Sequence, residues 1–271
     1  MTAATVTAPA PESDTARVSP LEGLRHTATL AWRTLVQIKH NPMELLDFSV
    51  QPLMFVLLFT YVFGGAIAGG THAYLQFALA GIIIQNGLFA TLNTGVGLNS
   101  DLEKGVFDRL RSLPIARYAP LAGRIVADLV KQAWAITLLL VVGLALGFRV
   151  HHGVLGVLGV YALVLGFALG ISWVSVLVGV VASSAEKVQI FGFTTMFPIT
   201  MISNAYVKTN TMPGWLQAWV KVNPVTSLAD ATRGLLVSGP VATPVLKSML
   251  WAVAFTVVFA PLAVRALRRK V

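Results

Sequence analysis

The residues in this sequence that can do chemistry are few, and they cluster. The densest patch is Asp101-Leu-Glu-Lys-Gly-Val-Phe-Asp-Arg-Leu-Arg-Ser-Leu-Pro114, which carries Asp101, Glu103, Lys104, Asp108, Arg109 and Arg111. Leu102, Val106, Leu110 and Leu113 recur at helical spacing, so a short helix here has one apolar stripe and a charged remainder. Pro114 ends it. Such a helix can dock a soluble partner and hand its motion to neighbouring membrane helices; the plainer reading is a solvated loop whose positive charges set topology. Asp128 and Lys131 lie one helical turn apart. They read as an i,i+3 ion pair with Lys131 snorkelling to the interface, or as one step of a proton relay. Asp230 and Arg233 repeat that spacing and read as a structural pair at low polarity. Gln85, Asn86, Thr91, Asn93 and Thr94 interrupt an apolar run. Amides in such a setting are costly unless paired, so they glue helices together or face a substrate.

Several chemistries are excluded. There is no GxxxxGK[ST] to cradle a phosphate, no HExxH and no evident Ser-His-Asp framework. Cys is absent, which removes disulfides, thiolate metal sites and Cys catalysis. His151 and His152 are adjacent without further ligands and make a poor metal site. No polar groups assemble at one membrane depth, so a membrane-embedded lipid-modifying enzyme lacks its machinery.

The elements that must position these residues are mostly apolar. Hydrophobic residues are 56% of 271 and charged residues 11%, against roughly a quarter charged in soluble domains. The composition predicts an all-α polytopic membrane protein. The net charge of +9 belongs to one side of a bilayer rather than to nucleic acid, for which no module is present. Residues 1–20 read as a disordered cytoplasmic tail. Residues 21–40 read as an amphipathic interface helix: Leu21, Leu24, Ala28, Ala31, Trp32, Leu35 and Ile38 form its apolar stripe, and Trp32 is an interfacial anchor. Residues 41–271 then form one transmembrane domain. Six stretches suffice to cross ~30 Å of hydrocarbon, at about 48–68, 74–98, 125–148, 154–182, 188–206 and 245–264, with Pro198 expected to kink the fifth. Between the fifth and sixth, Pro213-Gly-Trp-Leu, Asn223-Pro224 and Pro240 mark two short interfacial or re-entrant helices, about 213–221 and 225–237.

Six crossings put both termini on one side. Fourteen of the 20 Lys and Arg then fall on the side of the termini, including Lys104, Arg109, Arg111, Arg117 and Arg124. Five fall opposite: Arg149, Lys208, Lys221, Arg233 and Lys247. The bias predicts both termini in the cytoplasm and the 101–117 patch beside them.

Asp101 to Pro114, followed by Ala122-Gly-Arg and Asp128, resembles the central cytoplasmic loop of ABC-2-type exporter permeases, in particular the daunorubicin-resistance class of actinobacterial membrane subunits. Ile38-Lys-His-Asn-Pro, Phe197-Pro-Ile-Thr-Met-Ile-Ser-Asn-Ala-Tyr-Val, Met212-Pro-Gly-Trp-Leu-Gln, Val222-Asn-Pro-Val-Thr and Arg233-Gly-Leu-Leu carry the same likeness. The likeness runs from about residue 30 onward. It implies six transmembrane helices and a coupling helix at roughly 100–113, with Asp101, Glu103, Lys104, Phe107, Asp108 and Arg109 as the ATPase contact. It implies no cofactor on this chain, with ATP and Mg held by two copies of a separate ATP-binding subunit. It also implies a second permease, either a copy or a relative, in a bacterial cytoplasmic membrane. The expected task is outward movement of a hydrophobic or amphiphilic, drug-like compound, with a lipid or lipid-linked glycan as the alternative cargo. The expected path runs between spans one, two and five, with Asn86, Asn93, Phe193 and Phe197 lining it.

Overall fold

A computed structural model describes residues 20–40, 42–106 and 119–270. Among them every regular element is helical. In chain order these are α1 (Pro20–His40), α2 (Pro42–Leu58), a π-helical turn (Phe59–Phe63), α3 (Gly64–Ala68), α4 (Thr71–Glu103), α5 (Ala119–Ala145), α6 (Gly153–Val181), α7 (Ala185–Met201), a 3-10 turn (Thr209–Thr211), α8 (Gly214–Val222), α9 (Pro224–Leu236) and α10 (Ala242–Lys270). Five of these stretches are long and apolar enough to cross a membrane: Ser49–Ala66, α4, α5, α6 and α10. The 17 residues of α7 sit at the lower limit of about 17 for a crossing.

The helices are arranged around α4. Buried residues make up 72% of its most apolar window, against 11% for α10. One is the centre and the other a face. No hydrophobic force draws helices together in lipid, so close approach depends on small residues. At Gly95 on α4 and Gly179 on α6, a Cβ would overlap the opposite helix's backbone. Gly170 meets Ala252 of α10 in the same way, where a Cβ would lie 2.6 Å from the carbonyl oxygen. Asn99 of α4 then donates from Nδ2 to the carbonyls of Gly179 (2.9 Å) and Ala182 (3.0 Å), occupying the open end of α6. Lys270 donates to Val180 (2.6 Å) and Ala182 (3.2 Å) at that same end.

Three differences from the sequence reading have physical causes. The fifth span ends at Met201 rather than Tyr206. Asn223 accounts for this: its Nδ2 donates to the carbonyls of Ile199 and Ile202, both at 2.7 Å. Its Oδ1 accepts from Val225 N–H at 2.9 Å. One side chain thus closes α7 and N-caps α9, and Pro224 takes the first helical position where no N–H is needed. The sixth span does not stop before its basic tail, because the helix runs through Arg268, Arg269 and Lys270, and cations are favourable at that end of a helix. The coupling helix does not begin at 100: α4 continues through Glu103 and breaks only at Gly105, which has a φ of +64°. On α1 the buried face is Gly23, Thr27 and Ala31, of which only Ala31 belongs to the apolar stripe read from the sequence. Gly123 of α5 admits this face, since a Cβ there would lie 2.9 Å from Leu30 Cβ and 3.0 Å from the Thr27 carbonyl. Leu21, Leu24 and Trp32 remain exposed, as an interfacial helix leaves them.

Candidate functional site

The four residues expected to line a path converge on one groove. Its cavity holds about 350 Å³ and lies between α2, α4 and α7. From α2 come Gln51, Pro52 and Phe55; from α4 come Gln85, Asn86, Phe89 and Asn93; from α7 come Gln189, Phe193 and Phe197. Their positions follow from helical period. Residues 82, 85, 86, 89, 93 and 96 share one stripe of α4, and 189, 193 and 197 one stripe of α7. Phe89 and Phe193 have ring centroids 5.6 Å apart, and Phe193 stacks on Phe197 at 5.3 Å with an interplanar angle of 15°. Phe193 and Phe197 stay exposed at 54% and 41%. Among the described residues, no charged side chain lines the groove. Five amides beside a row of aromatic faces can stack a planar apolar body and hydrogen-bond its polar edge. Sequence reasoning named Gln85 only as an amide that glues helices or faces a substrate and passed over Gln51 and Gln189 for this wall, although an amide in an apolar span was the signal available for both.

The charged patch divides. Glu103 and Lys104 are exposed at the tip of α4. The 33 residues of α4 extend about 50 Å, well past ~30 Å of hydrocarbon, so this tip stands clear of the membrane core. Asp101 is engaged within the chain, since Arg124 Nη1 donates to its Oδ2. Phe107, Asp108 and Arg109 lie outside the described residues.

Asp230 and Arg233 are 3.4 Å apart, but the pair is the smaller part of what Arg233 does. Its Nε donates to the Phe77 carbonyl (3.0 Å), and its Nη2 donates to those of Asn204 (2.6 Å) and Ala205 (2.8 Å). The guanidinium also sits 3.8 Å from the Phe77 ring centroid. Asn204 Nδ2 donates to Asp230 at 2.6 Å. Burial lowers the Arg233 pKa to about 10, and Asp230 works the other way, so α9 carries a full charge at neutral pH that ties it to α4 and to the bend after α7. Lys131 and Asp128 are 3.8 Å apart, and Thr94 of α4 donates to Asp128 at 2.6 Å. This joins spans two and three.

A long central helix, a bundle packed through glycines and five stretches long and apolar enough to cross a membrane describe an integral membrane protein. Residues 25–237 match the family described as ABC-2 type transporter, and the chain belongs to that family. It is 40% identical over 244 residues to the daunorubicin resistance ABC transporter permease protein DrrB1 of Streptomyces coeruleorubidus, covering 90% of this chain and 86% of that one. It is 28% identical over 236 residues to a Mycobacterium tuberculosis protein named probable doxorubicin resistance ABC transporter permease protein DrrC, covering 86% and 84%. It is 26% identical over 206 residues to the doxorubicin resistance ABC transporter permease protein DrrB of the same organism, covering 73% and 70%. The chain is therefore a multi-pass transport subunit of an ABC system.

Proposed function

We propose that this subunit exports a hydrophobic or amphiphilic, drug-like compound through the groove between α2, α4 and α7. The energy comes from Mg-ATP bound by two copies of a separate ATP-binding subunit. Two permeases, identical or related, complete the assembly in a bacterial cytoplasmic membrane, with both termini in the cytoplasm and six crossings. The observation that carries this reading is that α4 runs unbroken from the groove to the exposed Glu103–Lys104 tip. A push at the tip is felt at the wall without an intervening hinge. Glu103, Lys104, Phe107, Asp108 and Arg109 are the contact for the ATP-binding subunit. The absence of lysine or arginine from the described groove lining favours a neutral or weakly cationic compound over a phosphate-headed lipid or glycan carrier. The amphipathic α1 lies in the inner interface, and α8 and α9 cap the outer ends.

The test is reconstitution of the full chain with its ATP-binding subunit in proteoliposomes, with doxorubicin as the probe. ATP-dependent movement of doxorubicin from the face bearing the ATP-binding subunit supports the reading. A Glu103→Ala/Arg109→Ala double variant should lose co-purification of the ATP-binding subunit while still inserting into the membrane. Unchanged transport and co-purification in that variant would refute the contact.

A further inference from the structure

We propose that Arg124 and Asp101 form a strut at the base of the cytoplasmic segment, making spans two and three turn as one body when that segment is pushed. The proposal rests on the export reading above and names two positioning residues for it.

Three observations converge. Asp101 lies in the last turn of α4 and Arg124 in the second turn of α5, with the segment 104–118 running between them. Arg124 Nη1 donates to Asp101 Oδ2, so the two ends of that segment are joined directly. Second, the guanidinium lies against the α4 backbone at Gly97, where any Cβ would overlap it. A side chain at 97 and the pair are mutually exclusive, and the sequence has glycine. Third, Asp101 lies in the last turn of its own helix, where a carboxylate is unfavourable against the helix dipole, so what favours it there is the contact across.

The same seam is tied again farther into the membrane. Arg124 and Asp128 are four apart and share a face of α5, and Thr94 donates to Asp128 at 2.6 Å. Spans two and three are thus bonded through polar side chains at two levels, with the exposed Glu103–Lys104 tip only two residues beyond the lower one. A load on that tip enters α4 and passes to α5 together through the side-chain pair. Asp101 is then a link within the permease, not a contact for the ATP-binding subunit.

The experiment measures doxorubicin moved per ATP hydrolysed by the whole complex in proteoliposomes. Asp101→Asn, Arg124→Gln and Gly97→Ala should each lower that ratio about threefold to tenfold, with co-purification of the ATP-binding subunit unchanged. Gly97→Ala keeps both charges and displaces only the contact. The exchange Asp101→Arg/Arg124→Asp should restore the ratio, and a merely destabilised protein would show less complex at a normal ratio. The chain has no cysteine, so Asp101→Cys/Arg124→Cys joined by a short bis-methanethiosulfonate reagent gives an independent arm. The joined form should have the wild-type ratio and the unjoined form the same loss of about threefold to tenfold. The strut is overturned if joining the two positions stops transport, if the single variants keep the wild-type ratio, or if they lose the ATP-binding subunit. If the wild-type complex moves no doxorubicin, the export reading falls and takes the strut with it. Normal wild-type transport with indifferent variants sinks the strut alone.

Discussion

Replacing Arg233 by alanine should be among the most damaging single changes in the chain. Three backbone carbonyls, those of Phe77, Asn204 and Ala205, would lose their donor. The face of the Phe77 ring would lose its cation. Removing one partner of a buried, hydrogen-bonded charge costs about 3–5 kcal/mol. Asp230 is 43% exposed and stays hydrated when abandoned, which places the cost at the lower end, about 3 kcal/mol. For a chain of this size, roughly 2–4 °C per kcal/mol turns that into about 6–12 °C. The assay is thermal unfolding of the detergent-purified full chain followed by tryptophan fluorescence, with the exposed Lys247→Ala as control. Arg233→Lys should recover less than half of the loss, because an ammonium cannot reproduce the planar fork that reaches α4 and the bend after α7 at once. Equal melting temperatures for Arg233→Ala and Lys247→Ala would refute the argument. So would full stability in Arg233→Lys, since the geometry of the fork would then be irrelevant.

Other outcomes follow from the same structure. Gly179→Ala puts a methyl group into the Gly95 backbone and should cost about 1–3 kcal/mol, read as a lower melting temperature and yield. Phe193→Ala removes the middle ring of the Phe89–Phe193–Phe197 row and should raise the half-saturating doxorubicin concentration about fivefold, with insertion unchanged. In a chain without cysteine, Ser112→Cys should react with an impermeant maleimide only from the cytoplasmic face. Labelling from outside intact cells would reverse the topology. Asn223→Ala frees the carbonyls of Ile199 and Ile202 and uncaps α9, so it should lower the melting temperature by an amount matching about 1–2 kcal/mol.

Much of the fold was legible because apolar length and Pro or Gly punctuation are local signals. The Asn223-Pro224 break, the short helices on either side of it and the five stretches long and apolar enough to cross a membrane could all be read from neighbours in sequence. So could the lining residues Asn86, Asn93, Phe193 and Phe197, because polar or aromatic groups in an apolar helix fall on predictable stripes. What could not be read depends on what lies opposite. Tyr206 looks as helical as Met201 until Asn223 takes the carbonyls that would continue the helix. The apolar stripe of α1 reads as an interfacial face, and nothing in its own pattern says that the turn of Thr27 and Ala31 is what fits against Gly123. Arg124 counted as one more topology charge, because nothing in its own neighbourhood points to Gly97 and Asp101. Partner choice across helices is a long-range fact, and composition does not carry it.

The π-helical turn at Phe59–Phe63 gives the first crossing a property that its neighbours lack. A wide turn holds one residue more than an α turn, so the chain inward of it, with Gln51 and Phe55, is offset in phase by about 100° from where regular winding would leave it. If the turn rewound to α geometry, the groove wall would rotate by that angle and shift along the axis by about one residue's rise. The end of the crossing beyond the turn, α3, would stay in place while this happened. Length variation in this crossing is thus absorbed at a known address, five residues long, on the side away from the tip of α4.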